Sequence, residues 1–109
     1  MSYDSQDVVI IGGGVAGLSA AIYLARNRTR TLLIVSDHSM AVWEPEVQNY
    51  LGFPEGLAGR KLLERGRDQA SKYGVSLIKD EILSVYCERP DRGQAGFQVE
   101  GRESTYHAR

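Results

Sequence analysis

The sequence predicts an α/β chain: a parallel sheet crossed by helices, with an antiparallel meander attached to it. Three observations carry that prediction. An apolar strand, a helix with one apolar face and a second apolar strand follow one another by residue 35, the order of a parallel crossover unit. Three consecutive glycines, Gly12 to Gly14, stand where the first strand meets the helix. Past Asp80 the pattern changes to short alternating segments separated by turns, which is the signature of antiparallel pairing.

Asp7 to Ile11 is β-branched and uncharged after Asp7, so it reads as a short buried strand. Over Val15 to Asn27, Leu18, Ala21, Ile22 and Ala25 recur at helical spacing and share one face. Arg26, Arg28 and Arg30 follow at the end of this helix, where positive charge suits the dipole. Thr31 to Val35 is the second strand. Ser39 to Gly59 holds Pro45, Gly52, Pro54 and Gly56 without a clear period, so an irregular loop with one short helical turn is expected. Gly59 to Tyr73 is a helix whose inner stripe is Leu62, Leu63, Gly66 and Ala70, with Gly74 as its C-terminal cap. Val75 to Ile78 is a third parallel strand. Ile82 to Cys87, Phe97 to Glu100 and Ser104 to His107 form the meander, with turns at Arg89 to Gly93 and at Gly101-Arg102.

Composition narrows the function. With 109 residues the chain has room for one domain. A net charge of -1 provides no basic field for nucleic acid or an acidic membrane. The six tyrosines are dispersed and make no stacking platform. The single cysteine, Cys87, permits neither an internal disulfide nor a CxxC pair, and a small buried apolar role is expected for it. The longest apolar run, Val8 to Ile11, falls far short of the roughly 20 residues that span a bilayer. With no secretory pattern at the N-terminus, the expected location is cytoplasmic. His38 and His107 lack metal-ligand spacing, and no Ser-His-Asp order or HExxH is present.

Gly12-Gly13-Gly14-Val15-Ala16-Gly17 fits G-x-G-x-x-G in the required context, after a strand and opening a helix. Gly12 permits the tight turn. Gly14, without a Cβ, lets a pyrophosphate approach the backbone, and Gly17 lets the helix pack on the first strand. The anion then rests on unpaired amides at the positive end of the helix. Asp37 lies 20 residues beyond Gly17, the spacing at which an acid meets ribose hydroxyls; its neighbour Ser36 competes for that role. The expectation is a Rossmann-like dinucleotide-binding unit. The motif itself does not separate FAD from NAD. An NAD(P)-binding domain of a dehydrogenase and a non-enzymatic nucleotide-binding fragment stay open on these residues, although the irregular connection from Asp37 to Gly59 is long for the first.

The segment DVVIIGGGVAGLSAAIYLAR resembles the FAD-binding start of the thioredoxin reductase-like flavoproteins of the pyridine nucleotide-disulfide oxidoreductase family. Glu46 to Pro54, EVQNYLGFP, is similar to that family's E-V-x-N-[WY]-x-G-[FD]-P stretch, and Gly56 to Arg65 to its LxGxxLxxR helix start. The resemblance implies a Rossmann-like three-layer FAD-binding domain, with the parallel sheet and meander just described. It implies FAD as a tightly held cofactor, with Gly12, Gly14, Ala16 and Gly17 lining its pyrophosphate. Ser36 and Asp37 would face the adenosine ribose, and Asn49 would lie beside the flavin and ribityl chain. It further implies a homodimer in which FAD takes electrons from NAD(P)H and passes them to a disulfide or another acceptor. There are departures. Ser39 to Glu44 lacks the family's paired glycines, and its Trp43 reads as a packing anchor. No second nucleotide domain, CxxC pair or C-terminal return segment is present. Residues 1–109 are therefore expected to be the N-terminal part of the FAD-binding domain, incomplete at its C-terminus, and no catalytic residue is assigned within them.

Overall fold

A computed structural model describes residues 6–36, 43–88 and 96–109. In chain order the elements are β1 (Val8–Ile11), α1 (Val15–Arg26), β2 (Thr31–Val35), α2 (Gly59–Lys72), β3 (Ser76–Lys79), β4 (Ile82–Glu88), β5 (Gly96–Gly101) and β6 (Thr105–Ala108). The first three strands form a parallel sheet in the order β1-β2-β3, and the last three an antiparallel sheet in the order β4-β5-β6. Register is regular in the parallel sheet: Ile10 pairs with Leu33, and Leu33 with Leu77. The expected turn at Arg89 to Gly93 lies outside the described residues.

Three layers result, as the family resemblance implies. The central strand β2 is covered on both faces, and Thr31, Leu32, Leu33 and Ile34 are all buried. A run of apolar residues without alternation reflects that two-sided burial. Leu33 points into the helix layer, where it joins Leu18, Ala21, Leu63, Ala70 and Val75. Leu32 and Ile34 point the other way and pack with Val99 and Tyr106 of the meander. On the helix side, Gly66 of α2 lets Leu18 of α1 come close: an added Cβ would stand 2.9 Å from Leu18 Cδ1.

Both helices end in the same motif. At the end of α2, Gly74 N–H donates to the Ser71 carbonyl and Val75 N–H to the Ala70 carbonyl, with Gly74 at φ 90°. This is a Schellman cap, closed by apolar packing of Val75 beside Ala70. At the end of α1, Arg28 N–H donates to the Ala25 carbonyl and Thr29 N–H to the Leu24 carbonyl. The left-handed residue there is Arg28, at φ 62°, a position the sequence pattern does not mark because glycine is absent.

Cys87 corrects an expectation: it is exposed, not buried. It lies on β4, an outer strand of the meander, and the meander's buried residues Val99 and Tyr106 come from β5 and β6. Beside it Val85 and Phe97 are also exposed, along a cleft shared with Val9 and Ile11 of β1.

The two sheets are pinned at one end by Asp80, a buried carboxylate that follows β3. Burial by itself would raise its pKa. Hydrogen bonds from the Tyr106 hydroxyl, then from the N–H groups of Glu103, Glu81 and Ser104, outweigh that and hold it below the ordinary 3.8. A depressed folded-state pKa means the contribution is complete above the unfolded value and is lost as pH falls through the lower, folded one.

Two predictions follow from these contacts. Nothing lies within 4 Å of a Cβ added at Gly74, so Gly74→Ala carries backbone strain alone and should cost about 1 kcal/mol in urea denaturation; an unchanged midpoint would refute the cap. Asp80→Asn should lower stability at neutral pH by about 1–3 kcal/mol, and should flatten the loss of stability expected of the parent below about pH 4, read from denaturation curves at stepped pH.

Candidate functional site

The glycine turn lies at the carboxyl ends of β1 and β2, where open α/β sheets bind their ligands. Gly12 N–H donates to the Ile34 carbonyl at 2.9 Å, which carries the parallel pairing one residue past β1. The chain then turns at Gly12, whose φ of 116° suits glycine. Gly14 is the residue before α1, in extended conformation at φ -80° and ψ -170°. Its carbonyl accepts the Leu18 N–H at 3.0 Å, the first bond of the helix.

Two close approaches shape this turn. A Cβ on Gly17 would run into the carbonyl oxygen of Gly12, so a side chain there would push α1 off the end of β1. A Cβ on Gly13 would run into the Val35 side chain at the end of β2. The first is the role that motif reasoning assigns to Gly17. The second is new: Gly13 occupies a variable place in the motif, and the signal for it was only that three glycines stand in a row.

No side chain caps the start of α1, and its first turn holds no acidic residue. The opening N–H groups of a helix have no intrahelical partner. At Val15, Ala16 and Gly17 they remain available to an anion, supported by the positive end of the dipole. Gly12 and Ala16 are exposed, while Gly14 and Gly17 are partly covered. This arrangement fits the pyrophosphate of a dinucleotide, since the donors are main-chain and nothing lies within 4 Å of a Cβ built on Gly12.

Ser36 follows β2 directly and is half-buried. It is held beside the turn by the Gly13–Val35 contact and the Gly12–Ile34 hydrogen bond. Asp37 lies outside the described residues, as does His38. Asn49 is brought less close. It sits exposed in the loop of residues 43–58 and makes no hydrogen bond to the glycine turn among the described residues. The loop itself is well braced. Val47 and Leu57 exchange backbone hydrogen bonds at 2.7 and 3.1 Å, and Gly59 N–H donates to the Glu44 carbonyl. The Glu46 side chain lies over Gly56, and Gln48 donates to it at 3.0 Å. Tyr50 and Phe53, with ring centres 6.0 Å apart, reach Val15 and Leu18 around a cavity of about 290 Å³. Tyr50, the neighbour of Asn49, thus faces the first turns of α1 across this cavity. Trp43 is 78% exposed and anchors nothing among the described residues, contrary to the packing role expected for it.

Together these features make an α/β unit whose glycine turn presents unpartnered backbone N–H groups at the carboxyl ends of its parallel strands. The chain belongs to the pyridine nucleotide-disulphide oxidoreductase family, whose pattern matches residues 6–108. It is 38% identical over 104 residues to the thioredoxin reductase of Rickettsia bellii, covering 93% of this chain and 32% of that protein. It is 34% identical to the thioredoxin reductase of Pneumocystis jirovecii, over 92% of this chain and 32% of the relative. Among solved structures, the atypical thioredoxin reductase TRi from Desulfovibrio vulgaris Hildenborough matches with a TM-score of 0.82 and 39% identity, over 94% of this chain and 33% of that one. A thioredoxin reductase from Gloeobacter violaceus matches with a TM-score of 0.89 and 29% identity, over 100% and 35%. The chain therefore spans about a third of the length of the relatives it matches. Among the described residues no cluster of His, Cys, Asp or Glu suits a metal ion, and no helix is long and apolar enough to cross a membrane.

Gly17→Ala forces a methyl group against the Gly12 carbonyl, and overpacking of this kind costs about 1–3 kcal/mol. A thermal melt indistinguishable from the parent would contradict the packing described.

Proposed function

We propose that this chain is the FAD-binding N-terminal part of a thioredoxin reductase-like flavoenzyme, one that moves electrons from NAD(P)H through FAD to a disulfide or other acceptor. The observation that carries the reading is the uncapped, acid-free start of α1, held against β1 and β2 by Gly17 and Gly13. The thioredoxin reductase relatives support it, and nothing comparable favours a plain NAD(P)-dependent dehydrogenase. A homodimer and a cytoplasmic location are part of the same proposal, by analogy with the family.

FAD supplies, when bound, a two-electron acceptor that the side chains of this sequence do not provide. The residues here bind and orient. The N–H groups of Val15, Ala16 and Gly17 receive the pyrophosphate, and Gly14 leaves room for it to approach. Ser36, with Asp37, meets the adenosine ribose. Asn49 serves the flavin side from a loop whose rings, Tyr50 and Phe53, line a cavity together with α1.

The test is titration of the protein with FAD, followed by quenching of flavin fluorescence, with NAD and NADP as competitors. FAD should bind and the nicotinamide nucleotides should not displace it. Gly14→Val fills the approach to the backbone and should weaken FAD by at least about tenfold, or about 1.4 kcal/mol. Equal affinity of Gly14→Val and parent would remove the basis of the proposal, and tight binding of NAD with no binding of FAD would replace it by the dehydrogenase reading.

A further inference from the structure

Asp80 is the one buried carboxylate among the described residues, and it has no place in the binding scheme above. It stands at the end of β3, on the same edge of the sheet as the glycine turn. Its main-chain N–H donates to the carbonyl of Val35 at 3.0 Å. Val35 is the last residue of β2, the residue that Gly13 packs against, and the one before Ser36. Its carboxylate meanwhile grips the β5–β6 turn. Oδ1 accepts the Glu81 N–H at 2.7 Å and the Glu103 N–H at 3.1 Å, while Oδ2 accepts the Tyr106 hydroxyl at 2.6 Å and the Ser104 N–H at 3.3 Å. Gly101 is pressed against that carboxylate so closely that a Cβ would collide with it. Outside, Arg102 donates its N–H to the Glu81 carbonyl at 3.0 Å and its Nε to the Glu81 side chain at 2.8 Å. The carboxylate is thus surrounded by donors that a neutral amide cannot all satisfy, because an amide nitrogen facing an N–H group repels it.

We propose that Asp80 is a positioning residue for the ribose end of the dinucleotide site: by clamping the meander turn to the end of β3 it fixes the Val35 carbonyl, and so the direction in which Ser36 leaves the sheet. The proposal rests on the dinucleotide reading of the glycine turn and Ser36. Asp80 itself touches no ligand. Its reach is one-sided. The pyrophosphate donors at the start of α1 are braced on the end of β1 where Gly17 meets the Gly12 carbonyl and touch Val35 only where Gly13 packs on its side chain, whereas the Val35 carbonyl leads directly into Ser36. Loss of the clamp therefore loosens one end of the site and spares the other.

Two probes separate the ends: inorganic pyrophosphate, which meets only the helix N-terminus, and ADP, which adds the adenosine ribose. Calorimetric titration of both into the parent, Asp80→Asn and Tyr106→Phe proteins reads the effect. Asp80→Asn should weaken ADP by about fivefold or more while changing pyrophosphate less than about twofold, in keeping with one or two lost polar contacts. Tyr106→Phe removes a single donor and keeps the carboxylate, so it should show the same split at smaller size. It also carries the test if circular dichroism shows Asp80→Asn unfolded. Equal weakening of both probes marks a general loosening of the fold and overturns the proposal, as does unchanged ADP binding in a folded variant. A parent protein that binds neither probe fails differently: it overturns the dinucleotide reading, and the positioning role with it.

Discussion

The close approach of α1 to the end of β1 governs the rest of this structure. With no side chain on Gly17, the helix starts directly against the Gly12 carbonyl. That contact aims the opening amides of α1 at the sheet's ligand-binding edge. It also lets Leu18 and Ala21 reach Leu33 and form the helix-side core. One missing methyl group thereby serves packing and binding together. The same economy appears at Gly13, where the absence of a Cβ brings the turn against Val35 and joins the two strands whose ends frame the site.

The anion cradle proposed for the start of α1 needs no charged side chain. Its donors are peptide groups that helix geometry leaves unsatisfied, and their alignment provides the favourable field. An acidic residue in the first turn of α1 would compete with a phosphate for those donors, and none is present. The outer layer contributes differently. The meander covers the opposite face of the parallel sheet through Val99 and Tyr106, and Asp80 ties its turn to the strand ends beside the site. A buried carboxylate is costly unless its lone pairs are met. Here four donors meet them, which explains how the group remains charged in a nearly dry position.

Much of this was legible in the residues. Glycine spacing, the apolar runs of β1 and β2 and the helical stripes of α1 and α2 are local signals, each written over a few turns or strand residues. They locate the strands, both helices and the glycine turn closely, with Gly74 correctly read as a cap. Local signals fail where conformation comes from elsewhere. Arg28 takes a left-handed conformation because helix termination demands it, although its side chain disfavours it. Cys87 looks like a core residue by chemistry, yet its strand lies at the edge of the meander. Asp80 carries no local signal, since three of its four donors come from residues more than twenty positions later in the chain.

The sequence by itself determined the crossover unit, the glycine turn that opens α1 and the family resemblance, because these depend on residue type at short, regular spacing. Only the tertiary structure decided that Gly13 must be glycine, that Asn49 stands exposed in a loop that shares a cavity with α1, and that one buried carboxylate links the meander to the strand ends. Those features arise from contacts between segments distant along the chain, and which atoms meet there is set by how the layers stack.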